Sequence, residues 1–119
     1  MLARFSFTFR PALIVFTLLM LSAQHAQTAT QLVLTERLAT DAFLDEAIGN
    51  HCLAADGTIG TQPLYRVLLL TKALLYRRIE LLLQAQFPGN DFRFYATPVT
   101  HINDTEADRG AGCALSNPV

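Results

Sequence analysis

The sequence predicts a mainly α-helical small domain: a long central helix at about 63–87, a shorter helix at about 31–48 and a minor β element at about 92–97. A small α+β fold is the alternative. Three observations carry this reading. Apolar residues dominate from Leu64 until Phe87-Pro88-Gly89 ends the run, while Arg66, Arg77, Glu80 and Gln84 fall on one narrow strip of a helical wheel. Leu34, Leu38 and Ala42 recur at helical spacing, with Phe43/Ala47 and Leu44/Ile48 as a second set. Phe92, Phe94 and Ala96 alternate with Arg93, Tyr95 and Thr97, the period of two that marks a strand.

Taken in order, Met1 to about Ala26 reads as a secretory signal. Arg4 and Arg10 are its only charges, and both precede the apolar run Ala12–Leu21. That run is too short for the ~20 residues a bilayer-crossing helix needs. Small and polar residues follow as Ser22-Ala-Gln-His-Ala-Gln27, although a cut after Ala26 leaves Gln24 at the −3 position and a cut after Ala23 leaves Leu21 there. The expectation is therefore a signal at 1–26 and a single small exported domain at 27–119, periplasmic or extracellular, with an irregular tail at about 103–119.

Within that domain Gly49-Asn50 stops the shorter helix, and Thr40 is a plausible N-cap if the helix starts late, leaving Gln31–Thr35 extended. Asp56-Gly57 marks a turn. Thr61 and Pro63 then open the long helix, whose apolar surface covers more than half its circumference and so must be enclosed.

Length and charge set the outer bounds. The chain has 119 residues, enough for one domain. Without residues 1–26 its balance is seven Lys and Arg against ten Asp and Glu. A mildly acidic chain lacks the phosphate-neutralising surface on which nucleic-acid binding depends.

Cys52 and Cys113 are the only cysteines. In an oxidising compartment an even pair reads as a disulfide. It would close a loop of about 60 residues, contributing about 4 kcal/mol in the chain-entropy description.

Other candidate chemistry is sparse. Asp104, Glu106 and Asp108 are spaced two apart, as oxygen ligands for Ca²⁺ can be, but Gly110 falls one position late for an EF-hand loop and Leu115 stands where a bidentate Glu is required. His51 and His101 lack a third ligand at zinc-site spacing. No Gly-x-Ser-x-Gly turn or phosphate-cradling loop is present. These readings predict no metal, no cofactor and no catalytic residue.

The layout of Cys52, a Gly-bearing turn, a long helix and Phe87-Pro88 resembles small periplasmic immunity proteins over about a third of the chain. The long helix and the Phe92–Thr97 strand, with its edge and aromatic side chains, supply a recognition surface, so the expected function is that of a non-enzymatic exported protein binding another protein, as an adaptor, inhibitor or immunity-type protein, and an open hydrophobic face makes a homodimer one form of partner. Tyr65, Tyr76, Arg78, Phe92, Phe94 and Tyr95 are the candidate contacts. The alternative is a membrane- or lipid-interacting protein using the basic, very apolar segment 63–87. A small hydrolase or metal-dependent enzyme ranks third.

Overall fold

A computed structural model describes residues 12–89 and 92–111. Its architecture is α+β: a five-stranded antiparallel sheet with three helices, not a helical domain. Leu13–Met20, the run that suggested a leader, is the central strand β1. Eight residues rich in β-branched and long apolar side chains fit a strand buried on both faces, and such a strand has the same hydropathy as a leader's apolar core. The expected domain boundary after residue 26 falls inside helix α1, Ala23–Thr35.

Ser22 starts α1, its hydroxyl accepting from the His25 amide at 3.3 Å. Ala26, Ala29 and Val33 recur on one buried stripe. The helix closes with a Schellman arrangement: the Leu38 amide donates to the Val33 carbonyl and the Arg37 amide to the Leu34 carbonyl. Arg37 holds φ of 59°, a left-handed conformation that suits glycine. Arg37→Gly relieves about 1 kcal/mol of this strain. In a thermal melt it should raise Tm by a few degrees, about 4–8 °C per kcal/mol for a chain this short; a lowered Tm would contradict the cap assignment.

The chain then runs through β2 (Ala42–Leu44) and β3 (Ile48–Leu53), turns at Asp56-Gly57 and returns as β4 (Ile59–Lys72). The expected helix at 31–48 is thus the end of α1 followed by these strands. Leu44 pairs with Val67 but Ile48 pairs with Leu64, so four steps on one strand face three on the other. This is a β-bulge at Asp45–Ala47, and it re-aims the chain from β2 into β3.

The expected helix at 63–87 is three elements: the second half of β4, a 3₁₀ turn at Ala73–Leu75, and helix α2 at Tyr76–Gln86. Apolar residues on every side of Leu64–Leu70 satisfy a two-sided strand as well as an enclosed helix, and β-branched Thr61, Val67 and Thr71 favour the strand. Pro63 lies beyond the reach of β1, where β4 has a neighbour on one side only, the edge setting that tolerates a missing N–H. Strand β5, Phe92–Pro98, occupies the segment of alternating aromatics. The expected irregular tail contains a helix, α3, at Asp104–Ala111.

The strand order is β2-β4-β1-β5, with β3 pairing further along β4. Two βαβ crossovers interleave: β1 through α1 to β2, and β4 through α2 to β5. Both helices cover the same face. Phe16, Leu18 and Met20 from β1 and Val67 and Leu69 from β4 are enclosed there by Ala26, Ala29 and Val33 of α1 and Ile79 and Leu83 of α2. Each large side chain buried in this layer is worth about 1.5–3 kcal/mol. Thr71, also fully buried, donates its hydroxyl to the Leu38 carbonyl. Among the described residues, no helix is long and apolar enough to cross a membrane.

Candidate functional site

Because side chains alternate along a strand, residues neighbouring the core positions point to the opposite face of the sheet. On β1 these are Leu13, Val15, Thr17 and Leu19; on β4 they include Arg66, Leu68 and Leu70; on β5 they are Arg93, Tyr95 and Thr97. Phe43 of β2 joins them beside Leu68. An apolar surface therefore exists on both sides of this sheet, and the two longer helices cover only one.

At one corner α3 covers the second face. Ala107 is buried, and a Cβ added at Gly110 would lie 3.2 Å from both Leu13 methyls and 3.4 Å from Leu70, so the absent side chain lets the helix backbone approach closely. Arg109 pairs with Asp41, which holds its guanidinium more firmly protonated than usual, and its carbonyl accepts from the Thr40 hydroxyl at 3.0 Å. Beyond α3 the face stays open: Phe43 is 60% and Tyr95 53% exposed, with Val15, Leu68 and Leu70 half-buried between them. Arg66 on this face is paired, its Nε and Nη2 reaching a single Asp45 oxygen at 2.7 and 2.6 Å.

Past the end of β1 the β3–β4 hairpin continues as an arm. Every residue from His51 to Pro63 is exposed, and Leu53 and Ile59, paired near the tip, are 75% and 70% exposed. A lone two-stranded arm is marginally stable in water. Its turn is fixed by Asp56, whose carboxylate accepts from the Thr58 hydroxyl at 2.6 Å and the Thr58 amide at 2.9 Å. The hydroxyl bond, followed by the amide bond, lowers the Asp56 pKa below its ordinary 3.8. A lowered folded value means the turn gains from ionised Asp56 above the ordinary pKa and loses that gain as pH falls through the folded one. Carboxyl NMR titration should give a midpoint below 3.8, and Thr58→Val should return it toward that value; an unchanged midpoint in Thr58→Val would contradict the assignment.

The six residues expected to contact a partner divide between the two faces. Phe94 stacks on Phe16 at 5.5 Å, Tyr76 lies 5.4 Å from Phe16, and Phe92 lies 5.8 Å from Phe94. These three rings and half-buried Tyr65 pack against the helix-covered core. Arg78 is exposed on α2, and Tyr95 stands on the open face. Sequence reasoning missed Val15, Phe43, Leu68 and Leu70. The signal that could have found them is apolar residues at both parities along β4, once that run is taken as a strand.

Cys52 is an exposed free thiol on β3, so it forms no disulfide. Cys113 lies outside the described residues. The acidic run expected in a tail belongs to α3, where the Asn103 side chain accepts from the Glu106 amide at 2.8 Å. His51 and His101 are exposed, each with Nδ1 beside a threonine hydroxyl, Thr61 at 3.2 Å and Thr100 at 3.0 Å. Among the described residues no group of three or more His, Cys, Asp or Glu could hold a metal ion.

No protein-family model matches the chain, and no curated protein matches it significantly. Solved structures do. The divalent ion tolerance protein CutA1 from Ehrlichia chaffeensis superposes with a TM-score of 0.77 at 18% identity, over 88% of this chain and 98% of that one. The divalent cation tolerance protein from Thermus thermophilus gives 0.76 at 16% identity, over 87% and 99%. The periplasmic divalent cation tolerance protein CutA from Archaeoglobus fulgidus gives 0.72 at 13%, over 82% and 94%. None of the three is named as an enzyme or as an immunity protein. The likeness is one of fold.

Proposed function

We propose that this chain is a small non-enzymatic protein of divalent cation tolerance that works by protein–protein association, first of all with copies of itself. The open sheet face carries the proposal. Val15, Phe43, Leu68, Leu70 and Tyr95 form an apolar surface with α3 at one end and the exposed arm at the other. A continuous exposed apolar surface of this kind marks an interaction site. Among the described residues two sheet edges, β3 and β5, also lie open on opposite sides, so one copy's edge can meet another's.

The role in cation tolerance comes from the fold shared with the CutA1 structures. A periplasmic location comes to this chain only from the name of the Archaeoglobus fulgidus protein, because the segment that suggested export is the central strand. The membrane-active alternative loses its basis, since 63–87 is not one helix.

The cellular test is growth of a strain lacking this gene across rising Cu²⁺, Zn²⁺ and Co²⁺. Complementation by the wild type, and failure of a folded but dissociated variant, supports the reading. Tolerance that is unchanged by gene loss would overturn it.

A further inference from the structure

We propose that the cleft where the arm leaves the body binds a small organic anion with an apolar body, held through Arg93. The cleft encloses about 240 Å³, with Leu19, Leu64 and Phe92 giving it an apolar lining and Asn50, Gln62, Cys52 and Arg93 its polar groups. Compact clefts of mostly apolar lining with a few convergent polar groups are the usual form of a small-molecule site.

Its charge is one-sided. Among the described residues, Arg93 is the only charged one lining it, and no carboxylate does. The contrast with Arg66 sharpens this. Leu19 pairs with Arg93 on one side and Arg66 on the other, so both arginines belong to one row across the open face. Arg66 is neutralised by Asp45, whereas Arg93 makes no ion pair among the described residues. A planar guanidinium beside two amides suits a carboxylate, which can take two parallel N–H bonds, and Leu19, Leu64 and Phe92 would take the carbon body.

Cys52 provides the readout, since its free thiol lines the same cleft. The experiment uses the full chain in a Cys113→Ser background, with benzoate as probe and benzamide as its neutral counterpart. Benzoate should slow the reaction of Cys52 with a disulfide reagent several-fold, saturably. Arg93→Gln should weaken that protection by about tenfold or more, the loss expected for one charge-assisted contact. Arg93 is exposed, so circular dichroism of the variant should match wild type. No protection by benzoate overturns the proposal. So does equal protection by benzamide, which would mean an apolar hollow without anion recognition, or undiminished protection in Arg93→Gln.

Discussion

A chain starting at Gln27 will not fold. It lacks β1, which pairs with β4 from Leu13–Lys72 to Met20–Tyr65 and with β5 from Ile14–Pro98 to Met20–Phe92. Removing it leaves β4 and β5 without their shared neighbour and strips Phe16, Leu18 and Met20 from the core. Three fully buried large side chains contribute about 5–9 kcal/mol, comparable to the whole stability of a domain of this size, about 5–15 kcal/mol. The single substitution Phe16→Ala is the graded form of the same test. Phe16 is fully buried, 5.4 Å from Tyr76 and 5.5 Å from Phe94, so the loss should be about 3–5 kcal/mol in urea melts. A cooperative, native-like transition in the truncated chain would contradict the assignment of β1.

Under the proposed self-association, Leu68→Lys should leave a monomer of 13.1 kDa by light scattering where the wild type is larger. Leu68 sits between Phe43 and Thr17 on the open face, half-buried within a single chain. In one chain a lysine there can carry its ammonium to water along its own stem. Covered by a second copy, the same charge would be buried without a partner, at a cost of several kcal/mol. Tyr95→Glu provides an independent test, because Tyr95 is already 53% exposed and its replacement leaves the monomer's core untouched. Both variants should keep wild-type secondary structure and lose mass together. Wild-type protein that elutes as a monomer, or variants that keep the wild-type mass, would overturn self-association through this face.

What could be read from sequence follows from how locally each element is specified. The Phe92–Thr97 alternation is a strand signal that needs no tertiary context, and β5 lies there. Asp56-Gly57 marks a turn by its own chemistry, and Gly57 takes φ of 90° between β3 and β4. The two-sided strands were illegible for a physical reason. Leu13–Met20 and Leu64–Leu70 are apolar at both parities because the sheet buries residues on both of its faces. Period two then disappears, and hydropathy alone cannot separate such a strand from a leader or an enclosed helix. Ser22 and the Ala26, Ala29, Val33 stripe did carry the signal for α1, and the missing Ala-x-Ala before residue 27 was a trace of the same fact. The open apolar face was hidden along with the strands, since Val15, Phe43, Leu68 and Leu70 share a face only once the pairing register exists.

The role of Leu13–Met20 decides all of this, and amide hydrogen exchange on the purified full-length protein reads it directly. Peptides covering 13–20 should exchange as slowly as those of β4 at 65–72, both limited by global unfolding. Exchange of 13–20 within seconds while 65–72 stays protected would contradict a central strand, and the sheet built on it.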